Sequence, residues 1–154
     1  MPDSTTKKRA ERDRAAGKSA STQAGEFIRE EMHHIREGKH GARNAKQAIA
    51  IGLSQARRAG FGAEPGPNAS KKTRRKAAQD SAHAGDAPNP RRARASLEAS
   101  KREPHAAASP TALSRHAKAS AESRRKAGGS NSPSAAAKRA AKTRKRRTST
   151  AATR

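Results

Sequence analysis

The stretch "AKQAIAIGLSQARRAG", residues 45–60, is the most apolar part of a chain that is otherwise rich in Lys, Arg, Ala, Ser and Pro. At 100° per residue, Ala45, Ile49, Gly52, Leu53 and Ala56 fall on one stripe, which predicts an amphipathic helix. A strand fits only the four residues "AIAI", because the alternation stops at Gly52. This helix decides the fold, since the chain offers little else to bury.

The ends of this helix carry their own signals. Asn44 and Gln47 have the spacing of a capping box at the N-terminus, and Gly60 closes the C-terminus. The preceding loop, "GKHGAR" at residues 38–43, is long enough for the chain to fold back on itself.

A second helix is predicted on the N-terminal side of that loop, over "AGEFIREEMHHIREG", residues 24–38. Phe27, Ile28, Met32 and Ile35 share one face at helical spacing, and Gly38 is a natural stop. We therefore expect a small all-α helical hairpin at residues 24–61.

Two residues do not fit a plain hairpin. Ile51 lies off the stripe, so it is either a single exposed Ile or a contact with the tail or with a second copy in a homodimer. Glu31 lies within the apolar face, so it either pairs with Lys46 or Arg57 or reaches water from the rim.

Composition argues that the rest is disordered. The 154 residues include only nine Leu, Ile and Phe, and no Val, Trp or Tyr, against a net charge of +23. Such chains bury too little apolar surface to offset the entropy of ordering. We expect a mostly disordered protein with a basic disordered arm at residues 1–23, the hairpin, and a cationic Ala/Lys/Arg/Pro-rich tail at residues 62–154.

The tail repeats a helix-start signal. Candidate N-caps occur at Asn68, Asn89, Ser109 and Ser132, and Pro follows directly after the last three of them. Each precedes an Ala- and Lys/Arg-rich run without an apolar face. Such runs should be mostly unfolded alone and could become helical on a polyanion; accidental capping signals in a low-complexity tail are the alternative.

Charge predicts the partner. The tail has 23 basic and 6 acidic residues, and a basic excess of this size is the footprint of a nucleic-acid-binding protein. The densest run is "KTRKRR", residues 142–147. The predicted nucleic-acid-binding residues are Lys39, His40, Arg43, Lys46, Arg57, Arg58, Lys71, Lys72, Arg74, Arg75, Lys76, Arg124, Arg125, Lys126, Lys138, Arg139, Lys142, Arg144, Lys145, Arg146 and Arg147.

The loop "GKHGARNAK", residues 38–46, adds a specific hypothesis. It places basic side chains at the N-terminus of the second helix, where free amides and the helix dipole favour a phosphate. The alternative is a solvated basic turn. The loop lacks the Gly-Lys-Ser/Thr ending of a P-loop.

Other functions are not expected. No carboxylate pair or held Ser/His pair indicates catalysis, so we predict neither an enzyme nor a cofactor. His33, His34 and His40 do not have a metal-ligand spacing, so no metal site is predicted. The chain has no Cys, no secretory signal and no apolar run long enough to span a membrane, which favours the cytoplasm.

The segment from residue 26 to residue 60 resembles small basic bacterial proteins that share a Gly-Lys-rich loop followed by Lys-Gln-Ala-Ile-Ala-Ile-x-Leu-Ser-x-Ala-Arg-x-Ala-Gly. Such proteins are often labelled DNA-binding or plasmid-stabilisation proteins, and the tail looks like those of linker-histone-like bacterial proteins. The resemblance implies a bacterial nucleoid-associated or plasmid-maintenance accessory.

We therefore expect DNA binding with little sequence preference, through the cationic tail. Two alternatives stay open. One is association with RNA or the ribosome. The other is a protein-interaction hairpin whose tail only localises it.

Overall fold

The chain is described by a computed structural model, which covers residues 2–66, 69–87 and 89–126. This part contains six α-helices, one 3₁₀ helix and no strand, so the predicted all-α class is confirmed. The helices are α1 (Ser4–Ala15), α2 (Ala20–Arg36), α3 (Ala45–Arg58), α4 (Lys71–Ala82), α5 (Pro90–Lys101), the 3₁₀ helix (His105–Ala108) and α6 (Pro110–Lys126).

The chain divides into two compact units, residues 1–113 and 114–154. The first unit holds α1 to α5, the 3₁₀ helix and the start of α6. The described part of the second unit, residues 114–126, is the remainder of α6, and none of its residues is buried.

Helix α3 forms where its signals predict. The Asn44 side chain accepts a hydrogen bond from the Gln47 N–H at 2.9 Å, and Gly60 has a φ of 81°, which an L side chain rarely adopts. The Gln47 side chain completes the cap by accepting from the Arg43 N–H at 3.1 Å.

Helix α2 begins four residues earlier than predicted. Ser19 caps it by accepting from the Thr22 N–H at 3.3 Å, a local signal that the apolar pattern does not include. The predicted stop holds, because Gly38 has a φ of 75°. Phe27, Met32 and Ile35 are buried on the face that packs against α3.

The two helices approach closely at Gly52. A Cβ at this position would lie 2.7 Å from the Cα of Ile28. Only a glycine leaves room for the α2 backbone at this point, so the small residue in the stripe is a packing requirement.

The core consists of two clusters. The first joins α2, α3 and the 3₁₀ helix through Met32, Ile35, Ala42, Ala48, Ala107 and Ala108. The second joins α1, α2 and α3 through Ala10, Ala24, Phe27, Ala56 and Phe61. Most of these residues are alanines, so much of the core is made of side chains that a count of Leu, Ile and Phe leaves out.

The arm differs from the expectation of disorder. Residues 4–15 form α1, which packs on α2 with Ala10 fully buried. Arg14 fastens its C-terminal end, since the guanidinium lies over the Phe61 ring at 4.2 Å and donates to the Gly60 carbonyl oxygen. Tertiary burial of small residues therefore orders a segment that has no apolar stripe of its own.

The start of the tail also differs from the expectation that it is mostly unfolded alone. Helix α4 packs against α3 through buried Ala77 and Asp80, and the 3₁₀ helix buries Ala107 and Ala108. These contacts supply the burial that the isolated runs lack.

The four helix starts predicted in the tail compare differently with the structure. Asn89 caps α5, with Pro90 at its first position, and Ser109 Oγ accepts from the Ala112 N–H at 3.2 Å at the start of α6. Helix α4 is capped by Ser70. Ser132 lies outside the described residues, as Asn68 does.

Candidate nucleic-acid interface

The loop before α3 is held by the end of α5 and by the segment that follows it. The Gly41 N–H donates to the Ser100 carbonyl oxygen at 2.9 Å, and the Ala42 N–H donates to the Pro104 carbonyl oxygen at 3.1 Å. A Cβ at Gly41 would lie 1.9 Å from the Glu103 carbonyl oxygen, so this backbone approach requires glycine. Two amides of this loop are thus occupied by the protein itself.

The side chains of this loop point in different directions. Lys46 is exposed, and the exposed Arg43 lies 3.7 Å from a Glu103 carboxylate oxygen. Lys39 pairs with Glu37 at 3.0 Å, and this pairing is the main reason that the pKa of Glu37 is lowered. The structure does not gather these cations around one anion-sized position.

His40 turns inward rather than toward solvent. Its Nε2 lies 3.8 Å from Oε2 of Glu31, a fully buried carboxylate in α2. The Gln55 amide donates to the same Oε2 at 3.0 Å. Both expectations for Glu31 were therefore wrong: its partners are not Lys46 or Arg57, and it does not lie at the rim.

Burial raises the pKa of Glu31, although the nearby His40 and the hydrogen bond from Gln55 act in the opposite direction. The charge of the adjacent Glu30 raises the pKa of Glu31 further. The loop histidine therefore lies beside a buried carboxylate.

Two of the predicted cations, at the end of α3, form contacts within the protein. The Arg57 guanidinium donates to the Ala63 carbonyl oxygen through Nε at 3.3 Å and Nη2 at 3.2 Å. Arg58 Nε lies 3.5 Å from Oδ1 of buried Asp80 in α4. These side chains fix the connection to α4 and are only half exposed.

Helix α4 carries the clearest cationic face. Lys71, Lys72 and Arg75 are exposed and lie on the side of the helix away from buried Ala77. The other two predicted cations are partly engaged: the Arg74 guanidinium donates to the Ala69 carbonyl oxygen at 3.2 Å, and Lys76 donates to Asp80 at 2.9 Å.

Asp80 anchors this helix. It is almost fully buried and accepts hydrogen bonds from Lys76 and from the Ser54 hydroxyl at 2.8 Å. Burial opposes its ionisation, but these hydrogen bonds and the charges of Lys76 and Arg58 outweigh that cost, so the pKa of Asp80 is lowered.

The prediction omitted three cations at the start of α5. Arg91, Arg92 and Arg94 are all exposed, on a helix with no buried residue. Their signal was present in "PNPRRARAS", where Asn89 and Pro90 mark the helix start. Cations in a first turn interact unfavourably with the helix dipole, and a bound anion reverses that effect.

A groove of about 1340 Å³ runs along the first unit. Its apolar lining includes Ile51 and Leu97, and its basic lining includes Lys72 and Arg94. Ile51 is half-buried here, so it is not simply an exposed Ile, and the groove contains the largest exposed apolar side chain of the described residues, Leu97.

Three of the predicted cations of the second unit lie at the end of α6. Arg124, Arg125 and Lys126 are exposed, and Lys126 pairs with Glu122 at 2.8 Å. The remaining predicted residues lie outside the described part of the chain: Lys138, Arg139, Lys142, Arg144, Lys145, Arg146 and Arg147.

Among the described residues, no helix combines the length and apolar content needed to cross a membrane. Comparison with protein-family models, curated proteins and solved structures gives no match to this chain.

Proposed function

We propose that this protein binds DNA with little sequence preference, as a nucleoid-associated or plasmid-maintenance accessory in the bacterial cytoplasm. The observation that carries the proposal is the net charge of +23 on 154 residues. A charge excess of this size attracts a polyanion at long range and gains affinity by releasing the counterions condensed on it.

Exposure of the cations on α4 and α5 supports this function. Within the described part of the chain, Lys71, Lys72 and Arg75 have no carboxylate at ion-pair distance, and neither do Arg91 and Arg92. Neither helix has an acidic residue in its first turn. Phosphates placed along these helices would neutralise charges that the protein leaves unbalanced.

The two-helix element α2–α3 has a separate part in this proposal. Acting as a helical hairpin, it supplies the apolar core on which α1 and α4 pack. The basic run at residues 142–147 adds five cations within six residues to the tail. Contacts to phosphate position a protein on a duplex without reading its sequence, which fits a chain with only two aromatic residues.

The test is the salt dependence of binding to a short DNA duplex, measured by fluorescence anisotropy. If about ten phosphates are neutralised, log K should fall against log salt with a slope near −9. An affinity that stays flat across the salt range would refute the proposal. So would a competing structured RNA that displaces the duplex far more strongly than duplex DNA of equal charge does.

A pair of matched variants tests the α4 face. Replacing the three unpaired cations by Gln (Lys71→Gln, Lys72→Gln and Arg75→Gln) should reduce the slope by about 2 to 3. The control removes three cations that have a carboxylate partner and are not among the predicted binding residues: Lys18→Gln, Arg29→Gln and Lys101→Gln, whose ion pairs span 2.6, 3.9 and 2.9 Å. Equal effects of the two triples would refute the assignment of the α4 face.

A further inference from the structure

The turn at Gly38 brings three potential metal ligands together. Glu31 and His34 lie one turn apart on α2, and His40 folds back over them from the following loop. One carboxylate oxygen and two imidazole nitrogens lie within 4.8 Å of one another. His33, the neighbour of His34 in sequence, is exposed and takes no part.

We propose that Glu31, His34 and His40 form a zinc-binding site that fastens the loop before α3 onto α2. The sequence did not predict it, because His34 and His40 are separated by a helix end. Their spacing matches no ligand pair on a continuous helix, and only the left-handed Gly38 turn brings them together.

The Glu31 carboxylate is the strongest support. Its residue is fully buried, and Oε1 has no hydrogen-bond partner among the described residues, while Oε2 accepts from Gln55. An unpartnered oxygen on a buried carboxylate is costly, because neither water nor a protein donor replaces the lost hydration. The oxygen near His40 is Oε2, so a cation that contacts both oxygens of this carboxylate would supply the missing interaction at Oε1.

The separation of the candidate ligand atoms suits a zinc ion after small adjustments. Zinc binds imidazole nitrogen and carboxylate oxygen at about 2.0–2.2 Å in a tetrahedral arrangement, so neighbouring ligand atoms lie about 3.3 Å apart. His40 Nε2 and Glu31 Oε2 are 3.8 Å apart, a gap that a small side-chain rotation closes. His40 Nδ1 lies 3.4 Å from the Gly41 carbonyl oxygen, and donation to it leaves the Nε2 lone pair facing the site.

A second acidic group shares His34 but fits less well. His34 Nε2 lies 3.8 Å from Asp3 Oδ2 and 3.9 Å from Glu30 Oε1. Glu30 resembles Glu31 in that one oxygen accepts, here from the Asp3 N–H at 2.6 Å, and the other has no partner among the described residues. The Asp3 side chain, however, is exposed. This group also offers only one imidazole, the ligand that suits zinc best, so the site with two histidines is the better candidate.

The groove of the first unit gives an ion access to this site. Glu31, His34 and His40 all line it, so a fourth position can be filled by water from the groove. Three protein ligands with an open fourth position are a common zinc arrangement. Holding the loop to α2 in this way would stabilise a fold whose core is small.

The test is zinc titration of the full-length chain by calorimetry. The chain has no Cys and six His, so few competing sites exist. We expect one site per chain, a higher thermal unfolding midpoint with zinc, and affinity reduced about tenfold or more by His34→Asn or His40→Asn. His33→Asn is the matched control and should bind zinc as the unchanged protein does.

An independent measurement uses the unchanged protein, in case a variant fails to fold. In NMR spectra of the imidazole nitrogens, zinc should shift the signals of His34 and His40 and leave those of His83 and His116 in place. Equal loss of affinity in His33→Asn and His34→Asn would overturn the proposal. Zinc shifts spread evenly over all six histidines, or no zinc binding at all, would do the same.

Discussion

Replacing Gly52 by Ala tests the central contact of the fold. Gly52 faces α2, and an added Cβ would lie 2.7 Å from Ile28 Cα and 3.0 Å from Ile28 N. Carbon atoms in contact prefer about 3.5–4.0 Å, so the two helix backbones must separate by about 1 Å. Backbone atoms cannot rotate away as the end of a side chain can.

Two opposing effects set the magnitude. Alanine is favoured over glycine in a helix interior by about 1 kcal/mol. Overpacking costs about 1–3 kcal/mol, and the separation also loosens buried Ala48 and Ala56 on the same helix. The two effects together give a loss of about 0–2 kcal/mol, and the loosened contacts of Ala48 and Ala56 place Gly52→Ala toward the upper end of that range.

Gly25→Ala is the matched control. Gly25 also lies inside a helix, but nothing would come within 4 Å of its added Cβ. Only the propensity gain operates there, so this variant should be more stable by about 0.5–1 kcal/mol. The assay is urea unfolding followed by far-UV circular dichroism. If both substitutions stabilise the protein equally, α2 and α3 do not cross at Ile28 and Gly52.

Two further predictions concern the cap of α3 and the buried anchor of α4. Asn44→Ala should lower the unfolding free energy by about 1 kcal/mol in urea unfolding, because the Gln47 N–H loses its acceptor, whereas Asn44→Gly should cost only a few tenths; equal losses would contradict a capping role. The lowered pKa of Asp80 means that its ionised form stabilises the folded state above the unfolded value of about 4, and that this stability is lost as the pH falls through the folded pKa. Urea unfolding at about pH 5 and about pH 3 should show that loss, and Asp80→Asn should make it smaller; an unchanged difference in Asp80→Asn would show that other groups cause it.

Signals that act over a few residues were sufficient to predict several helix ends. Asn44 and Gly60 mark the two ends of α3, and Gly38 follows the end of α2. Asn89 and Pro90 mark the start of α5. Each works through its own backbone geometry or through an N–H two or three residues away. No distant partner is needed, so such signals can be recognised from sequence.

The core was harder to predict, because much of it consists of alanine. Ala10, Ala77 and Ala108 are buried, yet alanine is also common on exposed helix faces of this chain. Which alanines are buried depends on which helices meet. Helix α1 and the docking of α4 therefore could not be predicted from an apolar pattern.

The candidate functional residues divide in the same way. The exposure of Lys71, Lys72 and Arg75 follows from a run with no apolar face, and sequence predicts it. The inward position of His40 depends on the Gly38 turn and on a buried Glu31. Net charge predicts a class of partner. It does not show which cations are exposed to a partner and which form hydrogen bonds or ion pairs within the protein.

The end of α2 is completed by residues about 70 positions further along the chain. Arg36 Nε donates to the Ala108 carbonyl oxygen at 2.9 Å, and His105 Nδ1 donates to the Ile35 carbonyl oxygen at 3.1 Å. During synthesis, α2 and α3 therefore leave the ribosome with this flank open to solvent. This surface is covered only after the 3₁₀ helix has emerged from the ribosome. A growing chain therefore passes through a stage in which a chaperone or a second chain can bind the uncovered surface.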